Sequence, residues 1–279
     1  MASLKALFIS ALAITPAVSA ALEPGPPFIR LDKNDAVSFL SQFDVHTTNT
    51  RRWSSSQTYK KDSTKSYTTH PPFLLPPSSS LTSPQVRDFD TIAYRNHMFA
   101  HAGIAQLFSI PIVLTTSAES GPNGQLPKEI LSMYPSAPLI RRNGEVDAWD
   151  NSEFRDAVRA ANKTQIVLGG ITTDVCTEFL ALSLRAEGYT VFANTEASGT
   201  FSDKLAFDAN RRMEGAGVVL QGMFAIVMDL MRDWRGTPGS AEVLPWLDKY
   251  LPAYGFVARG HEAAATNGTL APGEAGLKV

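Results

Sequence analysis

Cys176 is the only cysteine among 279 residues, and it stands where a nucleophile is useful. It closes the run Leu168-Gly169-Gly170-Ile171-Thr172-Thr173-Asp174-Val175-Cys176, in which an apolar, strand-like stretch turns just before a helix-like one begins. A thiol in the first turn of a helix faces backbone N–H groups that have no intrahelical partner, and it feels the positive end of the helix dipole. Both favour thiolate over thiol and are expected to lower the pKa from its ordinary value of about 8.5. The same N–H groups could hold an oxyanion. A lone cysteine is otherwise a small buried hydrophobe, so the case rests on what surrounds it.

The elements that must position this thiol read as alternating short apolar and amphipathic runs, the pattern of βα units. Strands are predicted over residues 36–43, 111–115, 138–142, 165–169 and 190–194. Helices are predicted over 91–108, over 150–161 with a capping-box spacing from Asp150 to Glu153, over 175–186, and over 202–231 with an interruption near Gly215 and Gly217. The fold class that follows is α/β, a three-layer α/β/α sandwich with a mainly parallel central sheet. Ligands of such sheets bind beyond the carboxyl ends of the strands, which is where Cys176 falls.

Composition narrows the classes further. A chain 44% hydrophobic and 19% charged can bury one sizeable core, and a net charge of −2 gives no electrostatic reason to expect nucleic acid. A single cysteine excludes an intramolecular disulfide, and no zinc-binding pattern is present. No run approaches the roughly 20 apolar residues of a membrane span. The expected partner is a small-molecule substrate, with no cofactor, no metal, no nucleic acid and no membrane.

The first 20 residues read as a signal peptide: Lys5, the apolar stretch Ala6 to Ile14, Pro16, and Val18-Ser19-Ala20 as a small-residue cleavage site. A Pro/Gly-rich linker over 21–28 follows, and the expected location is the secretory pathway. Residues 41–85 break the pattern, being crowded with Ser, Thr, Lys and Pro and able to contribute little core. Ser, Pro, Leu and Phe are all encodable by pyrimidine-rich codons, so this irregular insert also fits a translated intron. Beyond the domain over 29–236, the extension over 237–279 is expected to be partly disordered, the Ala- and Gly-rich stretch after Pro252 above all.

Several motifs in order carry a family resemblance. Arg30-Leu31-Asp32-Lys33-Asn34-Asp35-Ala36, Leu114 to Gly124, Gly144-Glu145-Val146-Asp147-Ala148-Trp149-Asp150-Asn151, Gly170 to Cys176, Ala197-Ser198-Gly199-Thr200-Phe201 and Arg232-Asp233-Trp234-Arg235 resemble the isochorismatase-like cysteine hydrolases, specifically their YcaC-like branch. The resemblance covers roughly residues 28–40 and 86–236. It implies a catalytic set of an Asp at the end of the first strand, a basic residue at the end of the third, and a Cys at a helix start. Cys176 matches the nucleophile and Arg142 the basic position. The resemblance also implies a cis peptide bond at Ile171–Thr172, whose N–H would join that of Cys176 in holding an oxyanion, and it implies a homo-oligomer.

The acid departs from the pattern. Alignment from Arg30 without a gap brings the Asp position to Gln42, and the nearest carboxylate is Asp44. Two residues keep a side chain on one face of a strand but move it about 6.6 Å along it, which is far for a group that must transfer a proton. Asp44 is the candidate base. Glu119, Asn123 and Trp149 are candidate substrate-binding residues at the same end of the sheet. His97 and His101 have the i, i+4 spacing of metal ligands but no third ligand, and read as helix-surface residues. Two functional readings follow: a cysteine-dependent hydrolase of a small C–N, amide-type substrate through a thioester-like acyl enzyme, or an impaired or non-catalytic relative whose Asp was displaced or lost at the insert.

Overall fold

The computed structural model describes residues 29–41, 86–121 and 123–270. The chain divides into a short unit, Met1–Arg30, and a second, Leu31–Val279, which holds every element below. The signal-peptide reading of residues 1–20 and almost all of the insert lie outside the described residues.

Among the described residues six parallel strands form one sheet in the order β3-β2-β1-β4-β5-β6. They are β1 (Ala36–Leu40), β2 (Ile112–Ser117), β3 (Leu139–Arg142), β4 (Gln165–Ile171), β5 (Thr190–Gly199) and β6 (Val219–Gln221). Every residue of β1 is buried, as expected of a parallel strand covered on both faces. On one face pack α1 (Thr91–Phe108), α2 (Lys128–Met133), α6 (Met223–Met231) and α7 (Ser240–Tyr250), through Met98, Ile104, Ile130, Ile226 and Leu247 among others. On the other pack α3 (Ser152–Ala160), α4 (Glu178–Ala186) and α5 (Asp203–Gly215), through Phe154, Val158, Leu180, Leu184 and Met213. This is the predicted three-layer sandwich.

Helix α1 occupies the predicted residues. The Asp90 carboxylate accepts from the N–H groups of Ile92 and Ala93 at its start, and Ser109 closes it in the left-handed region at φ 56°. Elsewhere the structure corrects the sequence reading. The capping box from Asp150 does not form: Asp150 belongs to a single 3-10 turn, Ala148–Asp150, and Asn151 caps α3 through the N–H of Phe154. The helix predicted over 202–231 is interrupted at Gly215–Gly217 (φ 81° at Gly217) as expected, but the chain then inserts a strand, β6, beside β5 before the second helix starts. The tail is ordered well past residue 237. Helix α7 buries Val243, Trp246, Leu247 and Tyr250, and it crosses α1 so closely that a Cβ on Gly103 would meet Trp246 Nε1 at 2.8 Å. Helix α8 (Pro252–Thr266) follows, where composition suggested disorder; its alanines are strong helix formers, and Tyr254 stacks on Trp234 with ring centroids 5.9 Å apart.

The chain leaves β1 at Ser41, beside Gly170 of β4, and the described residues resume at Val86, beside Gly199 of β5. Gly199 pairs with Ile171, so both positions lie at the carboxyl edge of the sheet. No helix among the described residues is long and apolar enough to cross a membrane.

Candidate active site

The period of a strand separates two neighbouring arginines. In β3 the side chains alternate, so Arg141 points out to the Glu119 carboxylate, 2.9 Å from its Nε, while Arg142 turns inward and is only 2% exposed. Arg142 Nε donates to Thr115 Oγ1 at 3.0 Å, and Nη1 donates to the carbonyls of Glu145 and Val146, the latter at 3.1 Å. Those carbonyls belong to the loop that follows β3, and Ser117 Oγ also donates to the carbonyl of Glu145, at 3.1 Å. Burial pulls the guanidinium pKa below its ordinary value, opposed by the nearby Cys176, Glu145 and Asp147.

At the end of β4 the bond Ile171–Thr172 is cis, as the resemblance implied. The Thr172 carbonyl accepts from the N–H groups of Val175 and Thr177, at 3.3 and 3.1 Å, and residues Thr173–Thr177 make a π-turn that runs into α4. Cys176 is half-buried in this turn, where backbone hydrogen bonding by Thr172 and by Cys176 itself favours the thiolate. Gly170 is required for the approach of β1: a Cβ there would stand 2.4 Å from that of Ser41. Ser41 N donates to the carbonyl of Gly169 at 2.9 Å, which closes the strand pair at that point.

The expectation of a lowered thiol pKa is not met. Burial pushes the Cys176 thiol up, and this outweighs the pull of Arg142 and of the two backbone hydrogen bonds; Asp147 adds to the rise. The sequence reading weighed the helix start and the cation but not the lost hydration of the sulfur. The cation and the backbone of the turn therefore do not offset the cost of burying a charged sulfur. Asp44 and Gln42 lie outside the described residues.

The other named residues divide. Glu119 accepts from Thr116 Oγ1 at 3.0 Å as well as pairing with Arg141, so its carboxylate braces the end of β2. Asn123 Nδ2 donates to the carbonyl of Ser117 at 3.0 Å, which folds the turn after β2 back onto the strand. Trp149 is corrected: it is buried beneath the sheet edge, edge-on to Phe154 and Tyr189 at 6.5 and 6.0 Å, and anchors the 3-10 turn to the core. His101 is corrected as well, being 0% exposed, while His97 is half-buried with Nε2 4.0 Å from Glu196 Oε1. No group of three or more His, Cys, Asp or Glu suited to a metal occurs among the described residues. Sequence reasoning passed over Asp147, whose Oδ1 accepts from the N–H of Trp149 and whose Oδ2 accepts from Ser183 Oγ at 2.6 Å. Its charge reaches both Arg142 and Cys176, and its only signal was its place in the Gly144–Asn151 motif.

Comparison with known proteins shows the family and the fold. Residues 87–230 match the family described as an isochorismatase domain. The chain is 37% identical over 209 residues to a probable hydrolase, YcaC, of Escherichia coli, a match covering 75% of this chain and 84% of the relative. Among solved structures it resembles YcaC from Pseudomonas aeruginosa with hexane-2,5-diol and covalent acrylamide, at 34% identity and TM-score 0.65, covering 83% of this chain and 96% of that one. It also resembles the E. coli ycaC gene product, described as an octameric hydrolase of unknown specificity, at 32% identity and TM-score 0.67, covering 85% and 98%.

Proposed function

Because the chain belongs to the isochorismatase family of hydrolases, on its YcaC-like branch, we propose that it hydrolyses a small amide-type substrate through a thioester on Cys176. One observation carries the reading: the chain's only thiol stands at the carboxyl edge of the sheet, in the turn that follows the cis Ile171–Thr172 bond, and within the field of the buried Arg142 guanidinium. The covalent acrylamide in the P. aeruginosa relative supports it, since acrylamide is an electrophile that thiolates attack.

The chemistry runs as acyl transfer. A carboxylate, Asp44 in this proposal, takes the thiol proton as the sulfur attacks the carbonyl carbon. The oxygen gains negative charge opposite the N–H groups of Thr172 and Cys176, and Arg142 supports the thiolate and orients the substrate carbonyl or a carboxylate beside it. The C–N bond breaks as the amine takes the proton from the carboxylate. Water, deprotonated by the same carboxylate, then cleaves the thioester to release the acid and the free thiol.

A second reading, a binding relative without turnover, is favoured by the upward shift of the thiol together with the two-residue displacement of Asp44 from the expected position. Hydrolysis of a panel of small primary amides separates the two, followed by mass spectrometry of the quenched enzyme. A covalent acyl mass on the peptide containing Cys176, lost together with turnover in Cys176→Ser, supports the enzyme. Turnover that survives Cys176→Ser sinks the nucleophile, and an absence of turnover across the panel in the native protein favours the binding relative. The octameric E. coli relative supports a homo-oligomer, which light scattering on the purified chain tests. The leader-like first 20 residues support secretion, which the N-terminal sequence of the mature protein tests.

A further inference from the structure

We propose that His101 is a positioning residue, a neutral imidazole that ties β1 to β5 across Gly169 and so fixes the Gly169–Thr172 backbone that presents its N–H to Cys176. The inference rests on the reading of Cys176 as the nucleophile. His101 belongs to α1, yet its ring is inserted at the sheet and fully buried. Its Nε2 is 3.0 Å from the carbonyl oxygen of Phe39 on β1 and 3.4 Å from Ser38 Oγ, and its Nδ1 is 3.1 Å from Asn194 Nδ2 on β5.

The hydrogen-bond network assigns the tautomer. Asn194 Oδ1 accepts from the N–H groups of Glu196 and Ala197, at 3.2 and 3.3 Å, so the Asn194 amide nitrogen must be the atom that donates toward the ring. Nδ1 of His101 is then the acceptor, and Nε2–H donates to Phe39. Desolvation, which brings the His101 pKa down to about 4, agrees with a neutral ring.

The ring sits where the sheet is irregular. Leu168 pairs with Ala193 and Gly170 with Ser198, so the single residue Gly169 of β4 stands opposite residues 194–197 of β5. Such a bulge re-aims the strands that carry it. Asn194 closes the bulge by accepting from Glu196 and Ala197, and His101 holds Asn194. Glycine at 169 leaves room for the ring: a Cβ there would lie 3.1 Å from His101 Cε1, 3.2 Å from Nδ1 and 3.2 Å from Ala197 Cβ, so the imidazole would have to give by a few tenths of an ångström. Three residues after Gly169 comes Thr172, whose backbone favours the thiolate of Cys176.

The test uses the full chain with His101→Leu, His101→Gln and, as a control, Phe154→Leu, which loosens the core on the opposite face of the sheet. Gln offers a donor near the position of Nε2 and an acceptor toward Asn194, whereas Leu offers neither. Two readouts are compared: the rate at which acrylamide alkylates Cys176, and hydrogen exchange of a peptide spanning residues 167–178. The expected result is that His101→Leu alkylates at least about tenfold more slowly and exchanges faster in that peptide, that His101→Gln stays within about threefold of the parent, and that Phe154→Leu lowers Tm without changing either readout. Native exchange in His101→Leu overturns the proposal. If Cys176 of the parent protein fails to react, the nucleophile reading falls on its own, and the exchange comparison still judges His101. Should His101→Leu not fold, His101→Asn, too short to reach Phe39, replaces it, and equal behaviour of His101→Asn and His101→Gln overturns the proposal.

Discussion

At the end of β3 the charge that serves Cys176 comes from a side chain, whereas at the end of β4 it comes from the backbone. Arg142 is buried and held by Thr115 and two carbonyls of the following loop, so one substitution removes its cation and also leaves those loop carbonyls without their donor. The N–H groups of Thr172 and Cys176 cannot be removed that way, and their placement depends on Gly169, Gly170 and the groups packed against them. The first kind of help is open to direct substitution. The second is reached only by disturbing its supports.

The largest effect is expected at the backbone site. Gly170→Ala puts a Cβ 2.4 Å from that of Ser41, so chemical denaturation should show a loss of about 3 kcal/mol together with loss of any thiol-dependent turnover. Retained stability would mean that β1 and β4 part easily, and the contrast between the two ends would collapse. Next comes acid. The folded pKa of His101, about 4, lies below its unfolded value near 6.5, so the unfolded chain binds the proton more readily. Its contribution is fully present above pH 6.5 and is lost as pH falls toward 4, amounting to about 3 kcal/mol across that window. Urea unfolding at pH 7 and pH 4.5 measures this, and His101→Gln should flatten the difference.

Arg142→Met tests the side-chain site. Its cation pulls the Cys176 pKa down, so its removal should move the pH profile of iodoacetamide labelling to higher pH and slow labelling at pH 7 by about tenfold. An unmoved profile would leave the backbone N–H groups as the only electrostatic support of the sulfur. The smallest effect is expected next door: Arg141→Ala breaks only an exposed pair with Glu119 and should change stability by less than about 0.5 kcal/mol.

Much of this site was legible because its signals are local. The strand-turn-helix around Cys176 shows in nine consecutive residues, and the two arginines of β3 differ simply because adjacent side chains of a strand face opposite ways. Trp149 was harder, since a tryptophan after a turn is as compatible with a ligand wall as with a core anchor until Phe154 and Tyr189 are seen around it. His97 and His101 misled for the same reason. Their spacing states that they share a helix face but not what that face meets, and what it meets is a bulge formed by β5, some 90 residues later in the chain.

The sequence by itself determined the alternation of strands and helices, both ends of α1, and the place of the lone thiol at a strand end, because each depends on neighbours within a few turns of chain. Tertiary structure alone decided that the thiol is raised rather than lowered, that His101 is core, and that α7 completes the layer over α1. Burial sets all three, and burial is a property of segments that meet only after the chain has folded.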